Sequence, residues 1–229
     1  MIKFVPSFRP YSELIVSLLL SLCVRYSPEY LNIVLIDYKG GGIKESLSYN
    51  GVVVPHIIAS ISNLENNSLQ RLIIALNNEC KNRQQSFKRL SQICNTSIMN
   101  IDDYLDNNRC EYGIGNISHL LIVVDEFAEL KKENPEQIKE LISISRIGRS
   151  LGIHLILATQ KPAGVIDDEI WSNSHFKIAL KVNSEKDSLD IIKTKGANDI
   201  KICTLLNKTE RREAAVSPDY IGFKVPNKF

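Results

Sequence analysis

Short apolar runs alternate along this chain with longer stretches whose apolar positions recur at helical spacing, the pattern of parallel α/β units. Ile2–Val5 reads as a short first strand, Ser12–Tyr26 as a largely apolar helix, and Asn32–Asp37 as a buried strand. The loop Tyr38-Lys39-Gly40-Gly41-Gly42 follows, and its triple glycine suits either a flexible turn or a loop near a ligand or neighbouring subunit. A strand is expected over His56–Ser60 and a long amphipathic helix over Ser68–Leu90. That helix sets Leu72, Ile73, Leu76, Cys80 and Phe87 against Lys81, Arg83, Lys88 and Arg89, a basic face of the kind that is usually solvated. Asn95–Gly115 is polar and predicts one short helix and an exposed loop. Strands are expected over His154–Ala158 and Phe176–Val182, with a helix over Pro135–Ile147 whose proline stands where a missing N–H does no harm. Ser184-x-x-Asp187 opens a last helix over Ser184–Lys193 as a capping-box-like start, and beyond Gly196 only weak strand candidates remain. The expected class is α/β, three layers about a mainly parallel central sheet.

One segment carries chemistry. His119–Glu126 reads HLLIVVDE: the aliphatic run Leu120–Val124 marks a strand buried on both faces, and Asp125 and Glu126 stand where it ends. Ionised acids beside apolar surface are costly without a cation or polar partners. At the carboxyl end of a parallel strand the usual partner is Mg²⁺ with nucleotide phosphates, which makes the octet a Walker B motif. Asp125 then holds the ion through its water shell and Glu126 polarises the attacking water. The alternative is that the two acids simply open a helix at Phe127-Ala-Glu-Leu130, favoured there by the helix dipole.

Composition narrows the classes. A chain of 229 residues with 44% hydrophobic content can bury one substantial core. A net charge of +2 gives no global basic field for nucleic acid. The five cysteines (Cys23, Cys80, Cys94, Cys110, Cys203) contain no C-x-x-C pair and read as reduced thiols. The four histidines (His56, His119, His154, His175) are dispersed and suggest structural roles and not a metal site. Leu14–Val24 is interrupted by serines and falls short of the about 20 apolar residues a membrane span needs, so it is expected to be a core helix. No secretory signal is expected at the N-terminus, and membrane attachment is expected only through missing segments or partners.

Four stretches stand in an order that resembles the FtsK/SpoIIIE-type motor ATPases: LIDYKGGG at 35–42, VVDEFAEL at 123–130, SRIGRSLGIHLILATQKP at 145–162 and IWSNSHFKIALKV at 170–182. The resemblance is strongest to the first motor module of EssC/EccC proteins of type VII secretion systems and covers roughly Ser12–Lys195. It implies a RecA-like P-loop domain over 1–195 with a divergent tail over 196–229. It also implies ATP and Mg²⁺, hexameric or linear assembly with other motor modules or protomers, small WXG-type secreted proteins as possible cargo, and a cytoplasmic position at the inner face of the membrane. By the resemblance, Asp125 and Glu126 are the Walker B pair, Thr159 and Gln160 lie where the γ-phosphate is sensed, and Ser12 joins Asp125 at the metal. Arg146 and Arg149 match a segment from which an arginine finger can reach a neighbour's nucleotide, with interaction at a helix C-terminus as the alternative. Asp37 and Lys39 match the loop after the second strand, with structural, interface and catalytic roles open.

The departure lies at the P-loop, which requires G-x-x-x-x-G-K-[ST]. Here Val5-Pro-Ser-Phe-Arg-Pro-Tyr-Ser12 stands in its place: Ser12 survives, Tyr11 replaces the lysine, Pro10 the last glycine and Val5 the first. Pro6 and Pro10 remove amide donors from the anion cradle, and Arg9 is no equivalent of an extended lysine ammonium. Losing transition-state contacts of this kind costs about 10²-fold or more in rate. Four functions are therefore expected in order: an ATP-binding secretion motor module impaired in hydrolysis, a non-catalytic interaction module, a truncated remnant of a secretion ATPase, and a DNA translocase.

Overall fold

The computed structural model describes residues 10–37, 42–62, 66–108, 115–160, 164–166, 168–174, 176–180, 182, 184–197, 203–204, 210–211 and 214–216. The elements in chain order are α1 (Pro10–Arg25), β1 (Leu31–Asp37), α2 (Gly42–Ser46), β2 (Ser48–Tyr49), β3 (Val52–Val53), β4 (Ile57–Ser62), α3 (Asn66–Cys94), α4 (Ile101–Asn108) and β5 (His119–Asp125). There follow α5 (Phe127–Glu133), α6 (Pro135–Gly148), β6 (Ile153–Leu157), α7 (Asp168–Asn173), β7 (Ile178–Leu180), α8 (Glu185–Ile192), β8 (Cys203–Thr204), β9 (Glu210–Arg211) and β10 (Ala214–Val216). The chain forms two compact units, Met1–Gln160 and Lys161–Phe229.

The first unit is built on a four-stranded sheet of order β4-β1-β5-β6, parallel throughout. The aliphatic runs of β1 and β5 explain their central places, because a strand with apolar residues on both faces needs cover on both. On one face Leu31, Ile33, Leu35, Leu121 and Val123 pack with Ile15 and Leu19 of α1, Ile43 of α2 and Leu47 just after it. The intervening residues Val34, Ile36, Ile122 and Val124 are equally buried, pointing to the opposite face by the alternation of a strand. There α6 rests on β6, and α3 packs on α6. The three-layer α/β class expected from the sequence is what the molecule adopts.

α1 crosses its face antiparallel to the strands. Its end is tied to the amino edge of the sheet, where the Tyr26 carbonyl accepts from Nε2 of His56 at 2.6 Å, just ahead of β4. Its first turns pack near α2, which follows the carboxyl end of β1. Ser12 therefore stands at the carboxyl edge.

In the second unit β7 pairs antiparallel with β10. Ala179, Ile192 and Ala197 form a small apolar cluster there. The expected capping start is present, with Ser184 Oγ accepting the Asp187 N–H at 3.2 Å. No helix among the described residues is long and apolar enough to cross a membrane. Ile2–Val5, His175 and the loop 38–41 fall outside the described residues.

Candidate functional site at the carboxyl edge of the sheet

In an open α/β sheet, ligands bind outside the carboxyl ends of the strands where the connections leave in opposite directions. Here that point lies between β1 and β5: from β1 the chain passes to β4 on one side, then returns across to β5 on the other. Asp37 and Asp125 are register partners on these two strands, so two carboxyl-bearing residues end adjacent strands at this place. Both are buried, Asp37 at 2% exposed and Asp125 at 6%.

The turn after Asp125 is held by the neighbouring strand. The Ala158 N–H donates to the Val124 carbonyl at 2.9 Å, and the Ala158 carbonyl accepts the Phe127 N–H at 2.7 Å. The second bond satisfies one of the N–H groups that open α5, which a helix cannot satisfy internally. Glu126, caught between these two bonds, takes a left-handed backbone with φ 55 and ψ 54. A residue with a Cβ adopts this region at a cost of about 1–2 kcal/mol, so the surrounding bonds must impose it. A helix does begin at Phe127, yet Glu126 makes no side-chain cap to it. Instead its carboxylate is fully buried, and Oε1 accepts the Thr159 hydroxyl at 3.0 Å and the Gln160 N–H at 3.3 Å.

Asp125, Glu126, Thr159 and Gln160 are thus brought together at one edge, with the Ser12 end of α1 on the same side. Ser12 is itself buried in the first turn of its helix. The side chain of Tyr11, Val5–Arg9 of the degenerate loop, and Lys39 lie outside the described residues. Arg149 is elsewhere: it is the C-cap of α6, exposed, and precedes the amino end of β6. Five residues of strand at about 3.3 Å each separate the two ends, so Arg149 lies roughly 16 Å or more from Thr159. Arg146 is exposed on the last turn of the same helix.

Residues 12–164 match the FtsK/SpoIIIE family. The chain belongs to this family. Type VII secretion system protein EssC of Staphylococcus aureus (strain NCTC 8325 / PS 47) is 45% identical over 191 residues, which cover 82% of this chain and 12% of EssC. ESX secretion system protein YukB of Bacillus subtilis (strain 168) is 42% identical over 193 residues, 83% of this chain and 12% of YukB. The chain therefore spans about an eighth of the length of these relatives. Among solved structures, the cytoplasmic domain of the Thermomonospora curvata type VII secretion ATPase EccC aligns with a TM-score of 0.69 at 31% identity, covering 83% of this chain and 21% of that one. ATPases 2 and 3 of EssC from Geobacillus thermodenitrificans align with a TM-score of 0.59 at 24% identity over 78% of this chain and 31% of theirs, a likeness of fold. This is an FtsK/SpoIIIE-like ATPase domain related to the motor domains of type VII secretion.

The spatial pairing of Asp37 with Asp125 was not legible in the sequence, because it depends on which strands become neighbours. A second polar cluster was missed for the same reason. On the amino side of the sheet, His119 Nδ1 lies 3.1 Å from His154 Nε2, with the rings stacked at 5.4 Å and His119 Nε2 at 3.9 Å from Asp102. Burial pushes His154 down to about 4, helped by the charges of His119, Arg83 and Arg149 and opposed by Asp102. Burial likewise lowers His119, against Asp102. Dispersed in the sequence, these two histidines are cross-strand neighbours in the fold.

Proposed function

We propose that this chain is a motor-type module of a type VII protein secretion ATPase, holding ATP with Mg²⁺ at the carboxyl edge of its sheet. The supporting observation is the tandem acid pair closing a strand buried on both faces at the switch point, with Thr159 and Gln160 alongside. Ser12 and Asp125 offer hard oxygen donors of the kind Mg²⁺ takes, with water completing the shell. When bound, the ion neutralises phosphate charge. Glu126 orients and deprotonates water, and the exposed Gln160 amide can donate to a phosphate while accepting from water. The departure at Val5–Tyr11 makes binding the retained property and turnover the impaired one.

Assembly with other motor modules, export of small helical WXG-type proteins, and a place at the inner face of the membrane complete this reading. Isothermal titration of the full chain with Mg–ATP tests it. Saturable binding that Asp125→Ala abolishes is the expected outcome, and an absence of binding to the wild type overturns it.

A non-catalytic role within an assembly has its own support. Arg149 is exposed and remote from its own chain's acid pair, so any nucleotide it serves belongs to a neighbour. In an assembly mixed with an intact motor, Arg149→Ala is expected to lower the partner's ATPase rate by about 10-fold or more. An unchanged rate removes this reading.

A further inference from the structure

Glu126 is 0% exposed, so in this arrangement its carboxylate meets no bulk water. A general base must reach the proton it takes, directly or through one water. Among its contacts, one carboxylate oxygen accepts the Thr159 hydroxyl at 3.0 Å and the Gln160 N–H at 3.3 Å. The second bond is long for an N–H donor, so the hydroxyl is the firmer hold. Both donors lie on the segment that leaves β6, and Gln160 is the last residue of the first compact unit.

We propose that Thr159 is a positioning residue: with the Gln160 N–H, its hydroxyl latches Glu126 in a buried, inactive position, and nucleotide binding opens the latch. This rests on the nucleotide-site reading above. In this arrangement the Thr159 hydroxyl donates to the Glu126 carboxylate. Because one oxygen takes both bonds, a shift of main chain at 159–160 lengthens them together.

Hydrogen exchange of the Gln160 amide, followed by NMR on the full chain, tests the latch. Without nucleotide, wild type and Thr159→Ser should protect this amide, whereas Thr159→Val and Glu126→Ala should exchange it about 10-fold faster. Saturating Mg–ATP should raise the wild-type rate to that of Thr159→Val. The two variants remove the contact from opposite partners, so a folding failure of one leaves the other informative. Protection that persists with Mg–ATP bound, or wild-type exchange in both variants, overturns the latch. So does an about 10-fold loss of Mg–ATP affinity in Thr159→Val, which would make Thr159 a phosphate contact. Titration alongside separates the two ideas. No binding by wild type defeats the nucleotide site and with it the opening step, while binding without a change in Gln160 exchange defeats the latch alone.

Discussion

Glu126 and Gly152 both hold positive φ, at 55 and 79, and only one of them is a glycine. At Glu126 the strain is imposed by bonds from the neighbouring strand, and the side chain accepts the Thr159 hydroxyl. At Gly152 a side chain is excluded: a Cβ would lie 2.9 Å from Cγ1 of buried Ile101 and 3.3 Å from Arg83 Nη1. Gly148 is similarly crowded, with its Cβ position 2.8 Å from that of Ile153. The glycines of the SRIGRSLGI stretch thus bring α6 and the start of β6 close, a packing role that the family resemblance does not reveal. Gly152→Ala should cost about 3 kcal/mol, combining left-handed strain with overpacking, and urea unfolding monitored by circular dichroism would measure it. A loss below about 0.5 kcal/mol would mean that the turn relaxes freely.

Elements add what single residues do not show. α3 was expected to carry a solvated basic face, yet Arg83 is 4% exposed. It accepts burial because Nε pairs with Glu79 at 2.8 Å and Nη1 donates to the Leu151 carbonyl at 2.7 Å, satisfying the turn that leads into β6. Lys81, Lys88 and Arg89 of that helix are exposed, as the pattern indicates. The pairing of β5 with β6 brings His119 to His154, and this has a pH consequence. His154 has a folded value of about 4 against 6.5 unfolded, so the unfolded chain binds the proton more tightly. Stability contributed by the neutral pair is full above 6.5 and is lost as pH falls from 6.5 through 4. Part of His154 remains solvent-exposed, which screens the effect. His154→Asn should therefore flatten the thermal midpoint's dependence on pH across this window, and a slope equal to that of wild type would contradict the assignment.

For the whole molecule, charge and partial length matter most. With a net charge of +2, the chain lacks the basic excess needed to track duplex phosphates. Gel shifts with duplex DNA at moderate salt should show no tight complex, and salt-sensitive retardation at submicromolar protein would restore the translocase alternative. The matched region is 12% of EssC, so most of that relative's length has no counterpart in the alignment.

Hydrophobic periodicity alone determined the α/β class, the central strands and the acid pair that closes one of them. Those features are local, since an apolar run and the residue ending it are neighbours in the chain. Strand order decided the rest: Asp37 beside Asp125, His119 beside His154, the Thr159 hydroxyl on Glu126, and Arg149 at the far end of the sheet from the acids. Each of these contacts joins segments distant in sequence. Parallel pairing and its register, which no local pattern encodes, set their distances.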